Sequence, residues 1–350
     1  MSYQLHNNDC LAVMRDMPDN SVSLIIADPP YFRVKDADWD NAWASVDAFL
    51  DWLRSVVREF ARILQPNGSL YLFAWPRLAS RIELMIGESL NVLNHLVWHK
   101  TDSNGHVHSA SRRADKEQLR GYVATAERVI FAEHYNSDNT AKGEAGYVAK
   151  CDELRGFVFE PLRAYLAGER DRSGASNSYI NAAWCAWKGV ASTSQTQKWF
   201  SHSCFNPPTR EAYEWLRQVF SSCGGGDYLQ RECEDLQREY EDLQREYEDL
   251  RRPFNLTKRH QWGDVMTFAP VASYPGKHPC EKPQAMLMQF VEVSSRPDSI
   301  VLDPFMGSGA TGLACHALGR EFIGIDASQH WYDYASRRLE AAHSQMRLAV

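Results

Sequence analysis

The stretch that most constrains this chain is Ser21–Phe32, SVSLIIADPPYF. Val22, Leu24, Ile25 and Ile26 make a short apolar, β-branched run of the kind that forms a strand buried on both faces of a parallel sheet. Two successive prolines cannot continue its hydrogen-bond ladder, so the strand must stop at its carboxyl edge. That edge is where open α/β sheets bind ligands. Pro29 and Pro30 also stiffen the backbone, holding the Asp28 carboxylate, the following carbonyls and the Tyr31 ring in fixed relation. A rigid acceptor beside a flat aromatic face suits a planar ring carrying an amino group. The plainer reading, a strand ending in an ordinary proline turn, stands beside it on these residues alone.

A second stretch, nearly three hundred residues on, decides between them. Ser299–Asp326 reads SIVLDPFMGSGATGLACHALGREFIGID. Ile300–Leu302 predicts a strand, Asp303–Gly309 a glycine-bearing loop and Ala310–Leu318 a helix, before a second strand over Glu321–Ile325 that ends in Asp326. Gly307 and Gly309 let the backbone turn tightly and approach a ligand at a helix amino end. Asp326 stands where an acidic residue holds a ribose in dinucleotide sites. The third glycine of the dinucleotide fingerprint is absent, and no lysine follows as in a P-loop. A nucleoside without a pyrophosphate therefore fits the loop better.

With both stretches in view, the chain resembles the amino-methyltransferases of DNA that use S-adenosylmethionine. Their signatures, a D/N/S-P-P-Y/F/W tetrad and a D-x-F-x-G-x-G loop, are matched by Asp28-Pro29-Pro30-Tyr31 and by Asp303 to Gly309 with Phe305 and Gly307 in register. The order, tetrad first and glycine loop late, is that of the family's β class. The K-P element of that class is matched by Lys282-Pro283. The resemblance covers roughly residues 1–135 and 260–350, and DPPYFRVKDADWDNAW, LYLF and YPGKHPCEKP bring it closest to phage- and prophage-borne adenine methyltransferases. It implies a permuted, doubly wound α/β sheet and S-adenosylmethionine as cofactor. It implies direct transfer of the methyl group to adenine N6 of a base flipped out of double-stranded DNA, with Asp28, Pro29, Pro30 and Tyr31 catalytic. It implies cofactor contacts from Asp9, Lys282, Pro283, Asp303, Phe305, Gly307, Gly309 and Asp326, and no metal. Cytosine N4 has the same amine geometry and is the second reading; Asp rather than Ser at position 28 favours adenine. A DNA-binding protein with a degenerate core is the third, and the intact motifs count against it. Asp9 has an equally weighted plain reading as a helix N-cap. Pro279-Cys280 superficially offers the catalytic thiol of cytosine-C5 enzymes, but the tetrad supplies a different chemistry.

The 350 residues, 44% of them hydrophobic, suffice for one large domain with an insertion or for two domains. No apolar stretch reaches transmembrane length and MSYQLHNNDC carries no signal-peptide pattern, so a cytoplasmic place, in a bacterium or a phage-infected cell, is expected. Eight scattered cysteines without a C-x-x-C pair read as reduced thiols. A net charge of −7 argues against a general polyanion binder but leaves local basic patches open. Arg33 and Lys35 follow the tetrad, and Arg112, Arg113, Lys116 and Arg120 lie in a long unpatterned stretch, His99–Tyr122; all six are candidates for phosphate contact. Mainly phosphate-serving residues predict weak discrimination among adenine contexts.

Between about 136 and 258 the α/β rhythm breaks, giving three expected parts: 1–135 catalytic half, 136–258 helical target-recognition insertion, 259–350 cofactor half. Within the insertion, helices over Phe157–Leu166, Ser178–Trp187, Ser192–Phe200 and Pro208–Phe220 lay out a repressor-type helix-turn-helix, with Ser192, Gln195 and Lys198 on the groove-reading face. A generic small bundle is the plainer reading. Trp184, Val190, Trp199, Tyr213 and Leu216 are its expected core. Then LQRECED, LQREYED, LQREYED repeats with a period of seven, placing Leu229, Leu236, Leu243 and Leu250 on one seam with Cys233, Tyr240 and Tyr247. One helix over Tyr228–Arg252 is predicted, about 35 Å long at 1.5 Å per residue, with Glu-first i,i+4 pairs to Arg238, Arg245 and Arg252. The seam either joins two copies in a homodimer or packs on its own protein; three heptads favour the latter.

Overall fold

The burial expected for the tetrad's strand is met from both sides, and the rest of the core follows from that. The computed structural model describes residues 2–34, 40–101, 122, 124–135 and 154–348. Among them the chain runs β1 (Tyr3–His6), α1 (Cys10–Asp16), β2 (Val22–Ala27), α2 (Val46–Ile63), β3 (Leu64–Ala74), α3 (Ala79–Ile86), β4 (Asn91–His99) and β5 (Ala126–Glu133). Helices α4 (Glu160–Ser173), α5 (Asn177–Lys188), α6 (Gln195–Lys198), α7 (Arg210–Gly224) and α8 (Cys233–Leu250) come next. The chain then continues through β6 (Val265–Thr267), α9 (Gln284–Ser294), β7 (Ile300–Asp303), α10 (Ala310–Leu318), β8 (Glu321–Ile325) and α11 (Gln329–Leu348). Two compact units result, one from Met1–Asn136 with Arg252–Val350, the other from Ser137–Arg251.

Among the described residues the first unit holds a sheet of eight strands in the order β1-β8-β7-β2-β3-β5-β4-β6. Every pairing is parallel except the two made by β5, so β5 alone runs against the rest. Alternate residues of β2 serve opposite cores: Ile25 and Ala27 pack with α1, α2 and α3, while Leu24 and Ile26 pack with α9, α10 and α11. That is why its sequence is a continuous apolar run instead of an alternation. The helices are amphipathic to match; α2 turns Phe49, Leu53, Val56, Val57 and Phe60 inward and is capped by Ser45, which accepts the Ala48 N–H at 3.1 Å. Residues 65–68 form a bulge inside β3, since Val22 faces Leu64 and Leu24 faces Ser69. The core resumes earlier than expected, at Arg252: Phe254 stacks on Phe131 at 5.6 Å and the Asn255 N–H donates to the Val293 carbonyl at 3.0 Å.

The second unit is a helical bundle around Phe159, Trp184, Trp199, Phe205, Tyr213, Leu216 and Phe220. Val190, expected inside, is exposed. The supposed recognition helix over Ser192–Phe200 is a single turn, α6, whose Thr196 is buried and donates to Asn181 Oδ1 at 2.7 Å. Ser192, Gln195 and Lys198 are exposed, but four helical residues do not make a groove-reading face, so the bundle reading holds. The heptad helix starts at Cys233, not Tyr228. Leu229 is buried with a left-handed φ of 54°, and its carbonyl accepts from Arg217 Nη2 at 2.8 Å, which draws the first heptad out of the helix. Leu236, Tyr240, Leu243 and Tyr247 pack within their own unit, Tyr240 and Tyr247 against Phe159, while Leu250 is exposed. The seam is therefore consumed internally and offers a second copy no continuous stripe. The expected i,i+4 pairing gives way to i,i+3 pairs, Arg238 with Asp235 and Arg245 with Asp242, while Glu234 pairs with Arg210. Among the described residues, no helix is long and apolar enough to cross a membrane.

Candidate active site

β7 lies beside β2, with Leu24 opposite Val301 and Ile25 opposite Leu302, so the two motif stretches leave the sheet side by side at its carboxyl edge. The glycine loop is tied down by its own carboxylates. Asp303 accepts the Phe305 N–H through Oδ1 at 3.1 Å and the Thr311 hydroxyl through Oδ2 at 2.6 Å. Asp326 accepts the Gly307 N–H through Oδ2 at 2.9 Å and the Ser328 N–H through Oδ1 at 2.8 Å. Gly307 has a left-handed φ of 46°, and a Cβ there would stand 3.1 Å from the His278 ring. Gly309, at φ 73°, passes against Ala335 and caps α10. Burial raises the Asp303 carboxyl to about 7, and burial raises Asp326 as well.

In front of this edge lies a cavity of about 400 Å3, within the roughly 300–1,000 Å3 of small-molecule sites. Asp28, Pro29, Pro30 and Tyr31 line it, and so do Asp9, Lys282, Phe305, Gly307 and Asp326. Asp9 also caps α1, accepting the Ala12 N–H at 3.0 Å, which is its plainer reading. Asp303, Gly309 and Pro283 do not reach this cavity. Asp303 braces the loop from below and borders a neighbouring pocket of about 30 Å3; Pro283 is the N-cap of α9. Arg33 lies outside the lining, exposed, with its guanidinium near the Ala44 carbonyl at 3.3 Å and over the Phe32 ring. Lys35, Arg112, Arg113, Lys116 and Arg120 fall outside the described residues.

Lys282 is placed differently from expectation. Its Nζ bonds Asp28 Oδ2 at 2.5 Å and lies 3.3 Å from Glu127 Oε2, so it belongs to the tetrad end of the cavity. Glu127 also accepts from Lys100 Nζ through Oε1 and from the Tyr31 hydroxyl through Oε2 at 3.3 Å. Neither Glu127 nor Lys100 stood out in the sequence: each borders a strand, and their meeting depends on β5 running backwards. Asp40 carries no local mark either; it is buried and its Oδ1 accepts the Tyr31 N–H at 2.7 Å, fixing the turn after the prolines.

Four charges and a phenol thus share one end of the cavity. Burial opposes ionisation of Glu127, but Lys282 and Lys100 together hold its pKa down at about 2. Burial outweighs Lys282 at Asp28, and Glu127 adds to it, so the Asp28 carboxyl is raised. Of the two acids, the one with two ammonium partners keeps its charge and the one with a single partner takes a proton first. Burial likewise opposes the charge of Lys282, and Asp28 and Glu127 prevail, raising its pKa. Burial and the nearby carboxylates keep Tyr31 a neutral phenol. His278, pushed down to about 4 by burial and then by Lys282 and Lys277, is neutral at pH 7.

The residues present suit an S-adenosyl nucleoside at one end and an amine at the other. Asp9 and Asp326 offer acceptors for hydroxyl and amino groups, Trp52, Phe305 and Trp331 supply flat apolar walls, and Gly307 removes the side chain that would crowd them. At the other end Asp28 Oδ1 has no hydrogen-bond partner among the described residues, and an incoming N–H would satisfy it.

Comparison with known proteins agrees. Residues 22–337 match the sequence profile of the DNA methylase family of N6 and N4 enzymes. The DNA adenine methyltransferase YhdJ of Escherichia coli (strain K12) is 24% identical over 337 residues, covering 96% of this chain and 82% of its own length. The type II methyltransferase M.HpaI of Haemophilus parainfluenzae is 21% identical over 343 residues, covering 97% of this chain and 75% of its own length. Among solved structures, the PvuII DNA methyltransferase (cytosine-N4-specific) superimposes with a TM-score of 0.51 at 12% identity, over 99% of this chain and 92% of its own, a likeness of fold. The sheet, the two motif stretches meeting at its edge and a profile match over nine-tenths of the length lead to one assignment: the chain belongs to the N6/N4 DNA methylase family and is an S-adenosylmethionine-dependent DNA methyltransferase.

Proposed function

We propose that this methyltransferase acts on N6 of adenine in double-stranded DNA, taking the base out of the duplex into the cavity beside Asp28. The observation that carries the reading is the unpartnered Asp28 Oδ1, on a backbone stiffened by Pro29 and Pro30 and followed by the Tyr31 ring. Bound S-adenosylmethionine supplies a methyl group made electrophilic by its sulfonium. An adenine amine is a poor nucleophile, because its lone pair is delocalised into the ring. Asp28 Oδ1 accepts one of its N–H bonds and the Pro29 carbonyl the other, which favours a pyramidal nitrogen whose lone pair is aimed at the donor. Tyr31 stacks on the base. Asp326, Asp9 and Phe305 hold the nucleoside of the cofactor, while Gly307, Gly309 and Asp303 keep the loop open for it.

Phosphate contacts are assigned to Arg33 and, in stretches outside the described residues, to Lys35, Arg112, Arg113, Lys116 and Arg120. The one-turn α6 and the excess of acids in Ser137–Arg251, nineteen Asp and Glu against fourteen Lys and Arg, support weak discrimination among adenine contexts. Cytosine N4 would be served by the same acceptors. Purified protein, labelled S-adenosylmethionine and random-sequence duplex DNA test all of this: labelled N6-methyladenine is expected at many contexts, and Asp28→Ala should abolish transfer while cofactor binding by calorimetry persists. Label in N4-methylcytosine, or near-normal turnover by Asp28→Ala, would overturn the reading.

A further inference from the structure

Glu127 lies outside the tetrad, the glycine loop and the K-P element, yet it touches both parts of the proposed target site. It sits near the start of β5, opposite Trp98 of β4, and because β5 runs against its neighbours that start lies at the same edge as Asp28. Its side chain is 14% exposed and its two oxygens are divided. Oε1 takes Lys100; Oε2 takes the Tyr31 hydroxyl at 3.3 Å and stands 3.3 Å from Lys282 Nζ. Lys282 in turn occupies Asp28 Oδ2.

We propose that Glu127 is a positioning residue for methyl transfer: it gives Lys282 Nζ a second carboxylate that fixes the ammonium against Asp28 Oδ2, so that Oδ1 is the oxygen left for the amine, and through the Tyr31 hydroxyl it sets the ring on which the base stacks. Lys100 is the counter-ion that keeps Glu127 ionised. This rests on the role given above to Asp28.

The charges make the idea testable. Around Asp28 stand Lys282, Glu127 and Tyr31, then Cys280, His278 and Asp303, with Lys100 behind Glu127. Within that cluster the two carboxylates, Asp28 and Glu127, balance the two ammonium groups, Lys282 and Lys100. Glu127→Gln keeps the shape but removes a negative neighbour of Asp28 and the charge that fixes Lys282 Nζ between the two acids. Asp28 then becomes harder to protonate, and the acid limb of kcat/KM moves to lower pH. Lys100→Met does the reverse: Glu127 draws more on Lys282, Asp28 is easier to protonate, and the limb moves to higher pH. A residue that braced the fold without electrostatic reach to Asp28 would leave the limb where it is, and the loss in kcat at unchanged cofactor affinity is what separates positioning from charge alone.

The experiment compares full-length wild type, E127Q, K100M and D28A on duplex DNA between pH 5 and 9, with S-adenosylmethionine affinity by calorimetry alongside. E127Q should lose at least about tenfold in kcat, keep cofactor affinity within about twofold, and shift the acid limb down by about half a unit or more. Turnover by E127Q within twofold of wild type, or a loss with an unmoved limb, overturns the proposal. Should E127Q not fold, the upward shift in K100M decides, and an unmoved limb there overturns it equally. Active D28A would remove the underlying reading and this one together. Inactive D28A with unaffected E127Q removes only this one.

Discussion

Replacing Asp303 by Asn should flatten the pH dependence of this protein's stability. The carboxyl is 5% exposed, both its oxygens are engaged inside the loop, and burial raises it from 3.8 to about 7. For an acid raised on folding, the sign is fixed. Its favourable contribution is complete below the unfolded value of 3.8 and is lost as pH rises through about 7. Above that, the folded protein holds a carboxylate that water would solvate better. A shift of about three units at 1.36 kcal/mol each sets the loss at up to about 4 kcal/mol between pH 4 and 8. Asn never ionises, and its amide oxygen still accepts the Phe305 N–H. Urea denaturation of the cofactor-free proteins at pH 5, 6, 7 and 8, compared pairwise, isolates the residue from every other titrating group. The difference between variant and wild type should widen by about 2–4 kcal/mol in the variant's favour across that window. Parallel curves would refute the reasoning, since they would mean that Asp303 titrates like an exposed acid.

Two further substitutions probe the loop and the bundle. Gly307→Ala puts an L side chain into the left-handed region, at about 1–2 kcal/mol, and drives its Cβ onto the His278 ring; the Kd for S-adenosylmethionine by calorimetry should rise at least about tenfold. Leu236→Ala opens the interior of the second unit and should lower stability by about 2–5 kcal/mol in urea, whereas Leu250→Ala, on the same seam but exposed, should change it by less than about 0.5 kcal/mol. Equal effects at both positions would mean that the seam is covered along its whole length.

Local chemistry was legible in the sequence wherever one stretch carried its own reasons. The β2 run could only be a buried strand, the prolines could only end it, and the glycine loop with its helix and second strand is found at the predicted residues, Ala310–Leu318 and Glu321–Ile325. Periodicity likewise found the heptad stripe and its inward side. It could not find where the helix begins, because Leu229 is pulled from it by Arg217, twelve residues away and on another helix. Nor could it see that Ser192–Phe200 holds one turn only, since side-chain pattern does not report which backbone bonds the bundle allows.

The site divides the same way. Asp28, Tyr31, Gly307 and Asp326 declared themselves through neighbours in the chain. The resemblance implies a cofactor contact for Lys282, yet its Nζ binds Asp28, 254 positions away. Glu127 and Lys100 carried no local mark at all. Strand direction is set by connections and by which edge remains open, and a strand's sequence reads alike in either sense. Only when β5 pairs antiparallel between β3 and β4 does its first turn of side chains arrive at the edge where Asp28 ends, and only there does an ordinary strand glutamate acquire two lysines and a tyrosine.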